Sequence, residues 1–389
     1  MIRVKQTCFS FFFLMSYVFS YTLDNIINVF EAKLNKTILS LEKGKYPHYT
    51  VNGKWYSEPY NKWTSGFFPG CLWELYDITK NNYWMEQAII YQENVKENQN
   101  NNNTHDVGFM ILNTYAKGYE LSKNKDYLPV VLKTADTLST RYSNVTKVIK
   151  SWESCDKSEY KVIIDNMMNL ELLWWANKHK DDNGGNQPKY KWDQIANAHA
   201  ITTSKNHFRK DFSTYHVLNY NQQNGLIIYK GTHQGYDFDS TWARGQAWAI
   251  YGYVIAYKYT NNADYFNIFE KAYQLYKEKT KNDLVPNWDL DDPERKYEDT
   301  SASAIISCAL LEISILKKNA SYFKQSKAIL MALLKNYISN GDDDKFDAIL
   351  LHGTSNFPKN LYDQGLIYGD FYFIKAVNLY HKHKNKFEK

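Results

Sequence analysis

The chain holds 389 residues, 44% apolar and 16% aromatic, which is enough to bury a large core and argues against disorder. Its formal charge of +5 comes from 47 basic and 42 acidic residues interspersed along the sequence, so there is no basic block of the kind that binds nucleic acid. An anionic small substrate is compatible with that balance.

At the N-terminus Arg3 and Lys5 precede an apolar stretch from Phe9 to Phe19 that ends in Val18-Phe19-Ser20. This reads as a signal peptide over residues 1–20, with an uncleaved anchor as the alternative. The run is short for a membrane span, and no second apolar stretch of spanning length is expected. Residues 21–389 are therefore read as one exported domain, secreted or periplasmic and free of the membrane once the signal is cleaved.

Beyond the signal, apolar positions recur at helical spacing from end to end, and strand-like alternation is rare. Segments begin near Leu23, Gly70, Tyr83, Val107, Tyr127, Asn166, Trp192, Trp242, Ala263, Ser301, Tyr322 and Gly369, about twelve in all, which predicts an all-α chain of six helical hairpins. Such pairs make either an open solenoid or a closed ring, and periodicity does not choose between them. Three irregular stretches, Tyr46 to Trp63, Val145 to Ile164 and Phe212 to Ser240, are too long for plain connectors and are expected to build a binding face at one end. The run Asn98–Asn103, all Asn apart from Gln99, reads as a low-complexity surface segment.

Cys8 leaves with the signal, and Cys71, Cys155 and Cys308 are far apart and odd in number, so they are read as core residues. The sequence contains no H-E-x-x-H, C-x-x-C, calcium-loop, G-x-S-x-G or phosphate-loop pattern. No metal or other cofactor is expected.

Two carboxylates stand out by context, each where a loop becomes a helix. Asp106 follows His105 and precedes Val107-Gly108-Phe109-Met110; Asp165 follows the strand-like Val162-Ile163-Ile164 and precedes Asn166-Met167-Met168. Asp is also a favoured N-cap, so both stand open to the plain reading of a side chain bonded to backbone amides. Asp165 ends an apolar run, and burial there raises a carboxyl pKa while a helix N-terminus lowers it. A second carboxylate in the same pocket, with Asp106 as the candidate, splits the two titrations and leaves one acid and one anion.

The aromatic content, 11 Trp and 33 Tyr, supplies flat rings suited to sugar faces, although most serve the core. Trp63 and Trp152 lie in irregular stretches and are the pocket candidates, whereas Trp174 and Trp175 sit on a helix and are read as packed. In Ser240 to Trp248, Arg244 and Trp248 share one helix face, while Trp242 is predicted to point nearly the opposite way. A cation beside a ring suits a carboxylated sugar, and Arg packed on Trp for stability alone fits equally well. His216, in Ser213-Thr214-Tyr215-His216, reads as either a structural or a functional residue.

At these residues the chain resembles glycoside hydrolase family 88, the unsaturated glucuronyl hydrolases. The similarity runs through Trp63 to Gly70, His105 to Phe109, Asp165 to Asn169, Ser213 to His216, Trp242 to Trp248 and Ile367 to Phe371, in the family's order. The resemblance implies an (α/α)6 barrel and a reaction without metal. It implies that Asp165 protonates carbon 4 of a carbon 4–5 double bond and activates the water that adds at carbon 5, with Asp106 supporting the developing charge. His216, Thr232, Arg244 and Trp248 match substrate-binding positions, and Trp63, His105 and Trp152 are expected to line the pocket. Where sulfate-accepting relatives carry a Ser-x-x-Ser-x-Lys loop, this chain reads Thr354-Ser355-Asn356-Phe357-Pro358-Lys359. Thr354 and Lys359 are the candidates to hold a sulfate there, and Phe357 lacks a donor.

The implied partner is an oligosaccharide ending in an unsaturated uronate, bound by a monomer or weak homo-oligomer. The alternatives are a hydrolase of unsaturated galacturonyl-rhamnose from pectin, a non-catalytic sugar-binding protein, and an epimerase or isomerase on the same barrel. A paired acid and base argue against mere binding.

Overall fold

The computed structural model describes residues 22–388 apart from 154, 155, 157, 183–187 and 340–343. The expected signal peptide, Cys8 and Cys155 lie outside the described residues. Among the described residues, and apart from the 3-10 helices Asn94–Asn100 and Phe357–Lys359, twelve helical stretches follow one another, each starting within three residues of its predicted position. They are α1 (Ile26–Ser40), α2 (Phe67–Thr79), α3 (Asn82–Gln92), α4 (Val107–Ile111, continued through a π-helical turn Leu112–Ala116 and Lys117–Ser122) and α5 (Tyr127–Ser139). After them come α6 (Asn166–Asn169 and Glu171–His179), α7 (Trp192–Asn206), α8 (Ala243–Thr260), α9 (Ala263–Lys279), α10 (Thr300–Lys317), α11 (Ala320–Asn336) and α12 (Ile367–Phe387).

The even-numbered helices form an inner ring in which each packs on the next and α12 closes the circle on α2. That last contact excludes the open solenoid. With the odd-numbered helices outside, the chain is an (α/α)6 barrel. Burial follows the layers: α8 is buried on every side from Ala243 to Ala256 and α10 from Thr300 to Ser314, whereas α9 and α11 bury one stripe. The inner position of α10 corrects one expectation. Thr300–Lys317 is long and apolar enough to cross a membrane, but 83% of it is buried in the fold, and the core accounts for its composition. Two inner crossings depend on glycine. A Cβ on Gly252 of α8 would meet Met167 of α6 at 2.5 Å, and one on Gly108 of α4 would meet Asn169 of α6 at 2.5 Å.

A short turn recurs at the far end of the ring, where inner helices hand over to outer ones. Lys80, Lys123, Asn261 and Lys318 each end an inner helix in the left-handed conformation. The next residue, Asn81, Asn124, Asn262 or Asn319, accepts a hydrogen bond from the backbone N–H two residues on. The left-handed residue lets the orphaned carbonyls be met, and Asn81, Asn262 and Asn319 cap the following helices, while Asn124 bonds Asp126 N just ahead of α5. At the opposite end the connections are long. Tyr46 to Trp63 folds into the hairpin β1 (Lys45–Val51) and β2 (Lys54–Pro59), turned by Asn52 and Gly53, both with positive φ. The other two stretches combine in one antiparallel sheet of β3 (Glu159–Ile163), β4 (Val217–Asn221) and β5 (Ile227–Gly231), in the order β3-β4-β5. In the Asn-rich segment Asn100, Asn102 and Asn103 are exposed as expected, but Asn98 is buried and donates to Tyr60 O at 2.9 Å and Val95 O at 3.1 Å. Cys71 and Cys308 are buried in the core as expected.

Candidate active site

Four inner helices begin at residues that face one another across the mouth of the ring. Asp106, Asp165, Trp242 and Asp299 are the N-caps of α4, α6, α8 and α10. Helix N-termini converging this way favour an anionic ligand. The three aspartates share one sequence context and meet three fates. Asp299 caps its helix by accepting from Ser301 N at 3.1 Å. Asp106 and Asp165 make no side-chain cap bond, so the plain capping reading fails for both.

Asp165 has a carboxyl that is 14% exposed, with Oδ2 unbonded. Burial pushes its pKa up to about 6 against the pull of His105 and Arg244, and the nearby charge of Asp106 adds to the rise. The helix N-terminus is thus outweighed. Asp106 accepts from Thr104 Oγ1 at 2.7 Å, and His105 Nε2 lies 3.2 Å from its other oxygen. Asn169 of α6 holds the two helices together by accepting from Phe109 N of α4 at 2.8 Å.

His216 sits at the start of β4, and its Nδ1 accepts from the backbone N–H of His233 at 3.2 Å. The ring proton therefore belongs on Nε2, which lies 3.6 Å from Asp165 Oδ2. Burial holds His216 well below its ordinary pKa, so the ring is neutral. On its other side the Trp242 ring approaches to 4.5 Å.

Arg244 departs from the helical-wheel expectation. Trp242 is the N-cap in an extended conformation, so the wheel does not reach it, and its ring lies 4.5 Å from the Arg244 guanidinium. Tyr368 covers the group at 5.1 Å. Arg244 Nη1 donates to Asp299 Oδ2 and to Thr354 O at 2.6 Å, and Nη2 to Gln234 Oε1 at 2.9 Å and Ser355 O at 2.8 Å. The cation is largely committed inside the protein.

The other predicted residues divide between wall, floor and rim. Trp63 is half-buried with its ring 4.9 Å from Tyr368, and Trp152 lies 6.5 Å from His105 and 5.7 Å from His233. Trp248 is 1% exposed and packs against Phe109 at 5.4 Å and Tyr372 at 5.3 Å, beneath the site. Thr232 accepts from Gln234 N and Gly235 N and so shapes the loop before α8. Thr354 is buried, its hydroxyl donating to Glu298 O at 2.8 Å, while Lys359 is exposed. Phe357 stacks on Trp288 at 4.2 Å. Among the described residues no group of His, Cys, Asp and Glu is placed to hold a metal ion.

Residues 31–365 match the model of Glycosyl Hydrolase Family 88. The chain belongs to that family. An unsaturated glucuronyl hydrolase of Formosa agariphila is 40% identical over 82% of this chain and 80% of its own length. An unsaturated chondroitin disaccharide hydrolase of Streptococcus pyogenes is 29% identical over 84% of this chain and 83% of its own. Among solved structures, an unsaturated glucuronyl hydrolase specific for heparin superposes with a TM-score of 0.87 at 33% identity, covering 93% of this chain and 98% of the other.

Membership of family 88 agrees with the ring and with the ordered blocks that suggested it. Reading the sequence missed Gln234, Asp299 and Tyr368, which surround Arg244. Tyr368 has a buried, unbonded hydroxyl beside that guanidinium, although it lies inside a quoted block. For Asp299 the signal was present, since Asp299-Thr300-Ser301 precedes an apolar run as Asp106 and Asp165 do.

Proposed function

We propose that this chain is an unsaturated glucuronyl hydrolase, which releases the terminal 4,5-unsaturated uronic acid from lyase-generated oligosaccharides of the glycosaminoglycan type by hydrating the double bond. The observation that carries the reading is the Asp165 carboxyl: half-buried, with its buried Oδ2 unbonded, beside the neutral His216 N–H and in the field of Asp106. In this reading Asp165 gives its proton to carbon 4, the π electrons form the new C–H bond, and positive charge develops at carbon 5 and the ring oxygen. The Asp106 carboxylate offsets that charge. The Asp165 anion then takes a proton from the water whose oxygen bonds carbon 5, which restores the acid. The hemiketal opens and the remaining sugar leaves.

The neutral His216 Nε2–H suits an uronate carboxylate, and the Arg244 charge favours it from behind Trp242. Trp63, His105 and Trp152 serve as walls for the sugar, Trp248 as floor, Thr232 as a loop anchor and Lys359 as the rim toward the second sugar, while the buried Thr354, its hydroxyl committed to Glu298 O, holds that loop in place. Export belongs to the proposal, supported by the apolar run after Arg3 and Lys5.

Incubation with lyase-generated disaccharides is expected to erase their double-bond ultraviolet absorbance. Asp165→Asn is expected to keep the fold and substrate binding while turnover falls about a thousand-fold, since the amide neither gives nor takes the proton. Unchanged absorbance across glycosaminoglycan, gellan or xanthan and pectin fragments, or near-normal turnover in the variant, overturns the reading.

A further inference from the structure

Asp299 is fully buried, and its two oxygens have separate partners. Oδ1 accepts from Ser301 N at 3.1 Å and Ser301 Oγ at 2.6 Å, with Thr354 N at 3.4 Å. Oδ2 takes Arg244 Nη1. The first oxygen is occupied in capping α10 and holding the loop, and the second is reserved for the guanidinium.

From that pair a continuous stack leads to the reacting end of the site. The Arg244 guanidinium lies 4.5 Å from the Trp242 ring, that ring lies 4.5 Å from His216, and His216 Nε2 lies 3.6 Å from Asp165 Oδ2. We propose that Asp299 is a positioning residue of the reaction, fixing Arg244 behind Trp242 and offsetting part of the guanidinium charge toward Asp165. The proposal rests on Asp165 as the proton donor.

The physical reason is the cost of an unbalanced charge in a dry site. The groups facing Asp165 are His105 and Asp106 from α4, His216 from β4, Arg244 from α8 and Tyr368 from α12. Arg244 is the permanent cation among them. A bare cation near a carboxyl draws its proton off, by an amount that falls with distance. With Asp299 bonded to it, the guanidinium's pull is weakened but not removed, and Asp165 keeps the proton that burial favours.

Asn at position 299 keeps the oxygen that caps α10 and removes the charge, so Asp299→Asn separates the two tasks. The measurement is the titration of the Asp165 carboxyl in the free protein by carbon-13 NMR on aspartate-labelled material, its signal assigned by loss in Asp165→Asn. The alkaline limb of the kcat profile is followed alongside. Asp299→Asn is expected to move both down by about half a pH unit. Arg244→Gln is expected to move the titration up, and the double variant to return it close to the wild-type midpoint, because both charges are gone. If Asp299→Asn fails to fold, Arg244→Gln and the double variant, which leaves no unpaired buried charge, decide the matter. An Asp165 midpoint that is the same in wild type and in every folded variant overturns the proposal, and a merely structural Asp299 gives that result with lowered stability. Failure of the Asp165 assignment itself shows differently, as normal turnover in Asp165→Asn.

Discussion

The two ends of the inner ring treat buried carboxyl groups in opposite ways. Where the helices begin, Asp165 lies half-buried with its buried Oδ2 unbonded, and burial lifts its pKa to about 6. Further along the same helices is a cavity of about 220 Å3, whose lining includes Glu74, Lys117, Glu171, Lys258, Glu312 and Lys375, one from each inner helix. There three carboxylates meet ammonium groups: Lys117 lies 2.8 Å from Glu74, Lys258 is 3.1 Å from Glu171 and 3.4 Å from Glu312, and Lys375 is 3.5 Å from Glu312. Burial alone would raise the Glu312 carboxyl, but Lys258 and Lys375 outweigh it and hold it well below the usual range. Aromatic rings of Phe67, Phe109, Trp248 and Tyr372 lie between the two regions. Low dielectric is common to both ends, so the partner decides whether a carboxyl becomes an acid or a fixed ion.

Asp370 sharpens the lesson. Burial lifts it to about 7, above Asp165, yet both its oxygens accept backbone N–H groups, from Ile349 at 2.9 Å and Leu350 at 2.8 Å. A raised pKa alone does not mark the working acid; a carboxyl oxygen left without a hydrogen-bond partner does.

Three measurements break or sharpen this contrast. The largest effect is expected from Glu312→Gln, which leaves Lys375 without its carboxylate and Lys258 with Glu171 alone; chemical denaturation should show a loss of about 3 kcal/mol. Turnover of the folded fraction should stay near wild type, because the far end takes no part in the chemistry. Next in size is the stability of Asp165→Asn. The native carboxyl holds its proton up to about 6 against an ordinary value of 3.8, so it aids folding below about 4 and costs stability as pH rises through 4 to 6. At pH 7 the variant should be more stable than wild type by about 2 to 3 kcal/mol, and the gap should vanish near pH 4 in thermal melts. An equal gap at both pH values would mean that Asp165 is not destabilised by its own charge. The smallest effect is expected from Lys359→Ala, since that ammonium stands in solvent. KM should rise less than about threefold, and the difference should fade at high salt.

Local sequence was sufficient for the helices, because each depends on apolar spacing and on caps only a few residues away. The start of α4 at Val107, of α6 at Asn166 and of α9 at Ala263 fell where periodicity put them. The irregular stretches were legible as functional, but their strands were not, since β3 pairs with β4 across more than fifty residues of chain. Arg244 and Trp248 were read together on one helix face, but the rings that reach the guanidinium are Trp242, through an extended N-cap, and Tyr368, from the last helix.

By itself, then, the sequence determined twelve helices, their order, and which aspartates stand at helix starts, all properties of short segments. Only the tertiary structure decided that the ring closes, because α2 and α12 meet from opposite ends of the chain. It also decided which of three similar aspartates is a cap and which is left as an acid. That difference comes from the groups that folding brings within a few ångströms, and such neighbours are not encoded next to one another along the chain.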